Sequence, residues 1–269
     1  MGKTIVLFVQ VIKVSTYILR WSENCDTLFP MIQTVCIIVW TVLVTFFWGI
    51  VVILASFIIN NENFTHNLAK IWAKSILFAS RIRVTVTGYS NIDPGRSYIY
   101  MSNHQSNFDI PVLLAYLDIQ FRWLAKAELF KIPIFGYSMK RAGYISIDRS
   151  NHKSAFESLK EAARKIRNGV SVLIFPEGTR SRDGNIRPFK KGGFVLAVDS
   201  GVPVVPIVIH GTWSIMSKKG IRIKPGNVVI EILQPIETSD YTRKTKDDLM
   251  EKVGQTICRS FEKGRGKQR

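Results

Sequence analysis

The hydrophobic pattern changes rhythm along the chain. From Phe29 to Ile59, "FPMIQTVCIIVWTVLVTFFWGIVVILASFII", 31 residues pass without a charge. As one helix this run would reach ~46 Å, against the ~30 Å of bilayer hydrocarbon. A cleavable signal peptide has a shorter apolar core near its start and a small-residue cleavage site, so that reading is rejected. Ahead of the run, residues 4–21 place Gln10, Lys13, Thr16 or Tyr17, and Arg20 at helical spacing among apolar neighbours. Such a narrow polar stripe suits a helix lying in the membrane interface. A buried pair of core helices is the soluble alternative, and the length favours membrane attachment. One tilted span and two helices dipping into one leaflet both fit, with Gly49 as a candidate weak point.

Beyond residue 65, short apolar runs alternate with amphipathic segments. "RIRVTVTG" alternates with period two and predicts a strand ending at Gly88; "SYIYMSN", "RWLAK" and "YISIDR" predict three more. "SAFESLKEAARKIRNG" puts Ala155, Phe156, Leu159, Ala162, Ala163 and Ile166 on one helical face, with Ser154 and Glu157 as a capping box and Gly169 as the stop. "VSVLIF" and "VPVVPIVIHG" are nearly all apolar, as strands covered on both faces are. "VVIEILQPI" reads as an edge strand, with Pro206 of the preceding run shaping a strand end. Leu249, Val253, Ile257 and Phe261 form the buried side of a last helix. The expected class is α/β, a mixed sheet flanked by helices. The expected organisation is membrane-associated helices over 1–64, an α/β domain over 65–262 and a disordered basic tail over 263–269.

Charge adds a partner. Lys and Arg total 37 against 20 acidic residues, a net +17, which calls for a polyanion. The apolar segment makes an anionic membrane surface the nearer one, and no aromatic RNA motif or helix-turn-helix pattern supports nucleic acid. Lys13 and Arg20 are offset by Glu23 and Asp26, whereas Lys70, Lys74, Arg81 and Arg83 follow the apolar run, which favours a cytoplasmic C-terminal domain. Cys25, Cys36 and Cys258 form no metal or disulfide pattern. "MGKTIV" lacks the sixth-position Ser or Thr of a myristoylation signal. Asn63-Phe64-Thr65 is a glycosylation sequon that has meaning only in a lumenal location.

The candidate chemistry begins in "YMSNHQSNFDIPVLLAYL", residues 100–117. His104 follows a strand and precedes a helix, and Asp109 stands in or near the first turn, close enough to fold back on the imidazole. A carboxylate holding one ring nitrogen fixes the tautomer and leaves the other nitrogen free to accept a proton. Two alternatives remain open on spacing alone. One is a capping cluster with Ser106 or Asn107 as N-cap; the other makes Ser106 an acylated nucleophile, although it lacks a G-x-S-x-G elbow. A second candidate site is "FPEGTRS", where a strand runs into a turn containing Glu177, Gly178, Thr179 and Arg180. Turn N–H groups, a hydroxyl and a guanidinium can surround a phosphate; a solvated loop is the plain alternative. Arg187, Lys190 and Lys191 of "RPFKKGG" either line the same cleft or form a solvated face.

Together these blocks resemble the glycerolipid acyltransferases. "NHQSNFD" matches their N-H-x-x-x-x-D signature, "KAELFKIPIFG" with "GYISIDR" their second block, "FPEGTRS" the third and "VPVVPIVIHG" the fourth, over roughly residues 85–212. The resemblance is nearest to the 1-acylglycerol-3-phosphate acyltransferases. It implies transfer of an acyl chain from acyl-CoA or acyl-carrier protein to the sn-2 hydroxyl of lysophosphatidic acid, with no cofactor, metal or acyl-enzyme. It further implies His104 as general base and Asp109 as its orienting partner. Lys126 and Arg180 would hold the acceptor phosphate, with Glu177, Gly178 and Thr179 around them and Arg149 a further candidate for the cleft.

Overall fold

The computed structural model describes residues 25–148 and 152–267. Residues 4–21, with their polar stripe, lie outside this range. Helix α1 (Cys25–Ile58) runs through the apolar segment without a break, leaving only Ile59 beyond its end. Its threonines hide their hydroxyls on the helix itself: Thr34, Thr41 and Thr45 donate to the carbonyls of Pro30, Ile37 and Thr41 at 2.8, 2.8 and 2.6 Å. After a short turn, helix α2 (Glu62–Ala79) starts at Asn61, whose side chain accepts from the amides of Asn63 and Phe64. The two helices pack together, and Trp72 Nε1 donates to Thr45 Oγ1 at 3.0 Å. Much of the remaining surface of the pair stays apolar and open, with Phe46, Phe47, Leu54 and Phe78 exposed. By length and composition α1 can cross a membrane. Gly49 is no weak point: a Cβ there would meet Ile134 Cγ2 at 2.7 Å, so the glycine allows a neighbouring helix to approach closely.

The remaining elements build the α/β domain. Strands β1 (Ile82–Thr87) and β2 (Ile99–Ser102) precede α3 (Asp109–Tyr116), β3 (Arg122–Lys126), α4 (Phe135–Arg141) and β4 (Ile145–Ile147). Then come α5 (His152–Arg167), β5 (Val172–Ile174), α6 (Lys191–Ser200), β6 (Val204–His210), the single turn α7 (Thr212–Ile215), β7 (Gly226–Ile232) and α8 (Lys246–Lys267). The seven strands form one sheet in the order β1-β7-β6-β2-β5-β3-β4, parallel throughout except for β6 against β7. One apolar cluster joins Leu77 of α2 and Val112 and Leu113 of α3 to one face; Ala162, Ile166, Phe194, Leu249 and Ile257, from α5, α6 and α8, belong to a second cluster. Every residue of β2, β5 and β6 is buried, which is why their sequences are apolar at consecutive positions.

The structure also departs from several other expectations. The "VVIEIL" strand is internal, paired with β1 on one side and β6 on the other, so its alternating pattern reflects uneven cover rather than an open edge. Pro206 sits inside β6, one residue before pairing with β7 begins at Ile207, where its missing N–H removes no rung of that ladder. Helix α5 is already helical at His152, so Ser154 lies within it and is not an N-cap. Phe156 is exposed on that helix, with the Arg243 guanidinium 5.6 Å from its ring centre. Finally, α8 carries the basic C-terminal segment in helical form to Lys267 instead of fraying at residue 263. The expected boundary at 64/65 falls inside α2, which packs on both α1 and α3.

Candidate active site

Three adjacent parallel strands, β2, β5 and β3, leave the sheet in the same direction. Their carboxyl ends open into the crevice where open α/β sheets usually bind ligands. The loop after β2 carries His104, the turn after β5 carries residues 175–181, and Lys126 ends β3. Segments some seventy residues apart are thus brought together by strand order.

His104 is fixed by its backbone before its ring is considered. The Asn103 side chain donates to Ile209 O at 2.9 Å and accepts from Ile209 N at 2.8 Å, adding a rung between β2 and β6. The His104 amide donates to Glu177 Oε1 at 2.7 Å, and its carbonyl accepts from Ser181 N at 2.8 Å. The ring lies flat against Phe175, with centroids 4.0 Å apart and 12° between planes. Nδ1 stands 2.7 Å from Asp109 Oδ2. The same oxygen accepts from the amides of Gln105 at 2.6 Å and Ser106 at 2.8 Å. Asp109 is fully buried, and its Oδ1 has no hydrogen-bond partner among the described residues. With Nδ1–H donating to the carboxylate, Nε2 keeps its lone pair, and His104 borders an adjacent cavity.

The capping alternative is not what the structure holds: the residue ahead of α3 is Phe108, and no side chain caps the helix there. Asp109 instead gathers the Gln105 and Ser106 amides and the imidazole on one oxygen. Ser106 is buried; its hydroxyl donates to Met216 O at 2.7 Å and accepts from Phe108 N at 3.2 Å. That hydroxyl is engaged by backbone groups, with no side-chain base on it among the described residues.

In the turn after β5, Gly178 has φ +69°, a conformation glycine adopts without penalty. Glu177 points inward. Its Oε1 takes the His104 amide and its Oε2 the Arg187 amide at 2.9 Å, so it clamps two loops together instead of facing a phosphate. Burial pushes its pKa up to about 7, against the pull of those two N–H groups and with a further push from the Asp109 charge. Thr179 and Arg180 are half-buried and follow Gly178, which borders the cavity. Lys126 and Lys190 border the cavity, whereas Lys191 is turned away into an ion pair with Asp247 at 2.8 Å. Arg149 lies outside the described residues.

The cavity measures about 560 Å³ and is largely apolar. It extends from His104 and Phe175 past Trp123, Leu129 and Met139 to Trp48 and Val52 of α1. The site therefore combines an imidazole held by a carboxylate, the bordering cations Lys126 and Lys190, and an apolar space that continues to helix α1. Residues to which no role was given complete it: Asn103 anchors the loop, Phe175 supports the ring, and Lys218 donates to Thr179 Oγ1 and Arg180 O at 3.0 and 3.1 Å. Asn103 and Phe175 open the histidine and glutamate motifs, but their partners are remote in sequence. Lys218 carries no sequence signal.

Residues 83–210 match the family model described as acyltransferase. The chain contains an acyltransferase-family domain. It is 39% identical over 178 residues to a chloroplastic 1-acyl-sn-glycerol-3-phosphate acyltransferase of Brassica napus, covering 65% of this chain and 51% of the relative. It is 34% identical over 181 residues to the human 1-acyl-sn-glycerol-3-phosphate acyltransferase alpha, covering 67% and 64%. The chain spans about half the length of the plant relatives it matches. The crystal structure of the 1-acyl-sn-glycerophosphate acyltransferase PlsC from Thermotoga maritima superposes with a TM-score of 0.76 at 29% identity, over 87% of this chain and 95% of that one.

Proposed function

We propose that this acyltransferase-family chain moves a fatty acyl group from an acyl thioester, carried by coenzyme A or acyl-carrier protein, to the sn-2 hydroxyl of 1-acylglycerol 3-phosphate. The observation that carries this reading is the His104–Asp109 pair at 2.7 Å, bordering an apolar cavity beside a cationic rim. Nε2 accepts the hydroxyl proton as the oxygen attacks the thioester carbonyl; Asp109 supports the imidazolium that forms. Collapse of the tetrahedral intermediate breaks the C–S bond, and the imidazolium returns its proton to the departing thiolate. A thioester is already activated, so direct transfer needs no covalent intermediate on the chain. Lys126, Thr179 and Arg180 are assigned to the acceptor phosphate, with Arg149 a further candidate; Gly178 and Glu177 shape the turn. The +17 charge and the apolar α1 support a site working at an anionic membrane surface, on its cytoplasmic face.

The test is a labelled acyl thioester, on each carrier in turn, offered with a panel of lysolipids and glycerol 3-phosphate. Acylation of lysophosphatidic acid above the others is expected, and a preference for another acceptor overturns the substrate assignment. His104→Ala should lower kcat by ~10²–10⁴-fold with little change in lysolipid binding, and Asp109→Asn by much of the same factor. A His104→Ala chain that keeps more than about a tenth of wild-type kcat would remove the base from the mechanism.

A further inference from the structure

The cationic rim holds a residue that none of the acyltransferase blocks contains. Lys218 lies in the segment 217–224, between α7 and β7. Its ammonium donates to Thr179 Oγ1 at 3.0 Å and to Arg180 O at 3.1 Å, spanning two consecutive residues of the turn after β5. An ammonium has three hydrogens, so one remains to be directed elsewhere. The segment is held to the membrane helix as well: the Ile223 amide donates to Thr34 Oγ1 of α1 at 3.1 Å. Lys218 is therefore carried into the site by a strap tied at one end to α1 and at the other to the motif turn.

What surrounds Lys218 is positive. Its own desolvation comes first, then the charges of Arg182, Arg187, Arg180 and Lys126, and all five influences lower its pKa. Among the described residues, none of these five cations forms an ion pair. Glu177 feels the charge of Arg187, but both its oxygens are committed to backbone amides. Five neighbouring cations that form no ion pair repel one another, an arrangement that an anion would relieve. An oxygen-rich dianion that takes the third hydrogen of Lys218 would at once neutralise the cluster and fasten the strap.

We propose that Lys218 is a further phosphate-binding residue, whose ammonium contacts the phosphate monoester of the lysolipid acceptor together with Thr179 and Arg180. This rests on the acceptor assignment made above, so its test reads binding rather than turnover. Equilibrium binding of labelled lysophosphatidic acid, and of a monoacylglycerol with the same acyl chain, is measured on the full chain and on Lys218→Met. The methionine keeps most of the apolar stem and removes the charge. Lysophosphatidic acid should bind the variant about 10- to 150-fold more weakly, the range expected for losing one hydrogen bond to a charged group, while monoacylglycerol binding stays the same. Lys218→Arg should recover part of the loss. Lys219→Met, which removes the same charge from the exposed neighbour, should leave both affinities unchanged. An equal loss for both ligands would make Lys218 a staple of the turn and overturn the proposal. So would an unchanged affinity for lysophosphatidic acid, or an effect confined to the acyl-thioester donor. If lysophosphatidic acid binds through Lys218 but is not acylated, the proposed reaction fails and the binding assignment stands.

Discussion

Glu177 has no oxygen free for a substrate, since each one holds a backbone amide of a different loop. Glutamine at this position can accept from one amide, but its NH₂ then faces the other, and an unmet buried donor costs ~1–3 kcal/mol. Glu177→Gln should therefore loosen the His104 loop, lowering kcat more than it raises the acceptor KM. The pH dependence has a definite sign. The folded pKa, about 7, lies above the ordinary value of 4.5, so the folded state keeps a proton that the unfolded state has lost between those limits. Stability contributed by this group is thus full below pH 4.5 and declines as pH rises towards 7. Denaturant titrations of wild type and Glu177→Gln at the two ends of this window should show the wild-type advantage shrinking as pH rises. A growing advantage would mean that Glu177 is ionised throughout. The His104–Asp109 pair was legible at this scale, because five residues bridge a strand end and a helix start. The clamp was not, because its partners lie 73 and 10 residues from Glu177 and nothing local couples them.

At the scale of elements, α1 meets α4 where Gly49 faces Ile134. The space there is already closed, and Ile134 has φ +61°, a strained conformation for a β-branched residue. Gly49→Ala should destabilise the protein by ~1–3 kcal/mol through overpacking, which outweighs the small propensity gain of alanine in a helix. Ile134→Ala removes the methyl that is struck, so the double variant should be more stable than the sum of the single changes implies. Thermal unfolding in detergent measures this cycle; strict additivity would mean the two helices can move apart freely. Sequence pattern found α1 but not the short α4, and offered Gly49 as a weak point, since a glycine that bends a helix and one that admits a neighbour look alike in one dimension.

For the whole molecule, the apolar helix α1 and the α/β domain share one cavity. Thr45, Trp48 and Val52 of α1 line the space that His104 borders. A chain lacking residues 1–60 should then lose most acyl transfer even when both substrates are presented in detergent micelles, where membrane attachment confers no advantage. Full activity of that truncation in micelles would reduce α1 to an anchor. Its residual binding to anionic vesicles should weaken as salt is raised, because exposed charges are screened over ~10 Å at 0.1 M salt. Flotation with neutral and anionic liposomes measures it, and indifference to lipid charge would rule out the electrostatic component.

The division between sequence and structure follows from the range of the forces involved. Periodicity over a few residues determined the strands, the amphipathic helices and the uncharged run, because backbone geometry repeats over that distance. Local chemistry placed Asp109 beside His104 and a glycine in the Phe175–Ser181 turn for the same reason. Only the tertiary structure decided that β7 is internal, that Glu177 is a clamp, and that Lys191 pairs with Asp247 away from the cleft. It alone brought Lys218 to Thr179, 39 positions away in the chain, and α1 to the wall of the cavity. Those contacts arise when strands from distant segments exit one sheet side by side, an outcome set by packing the entire core at once.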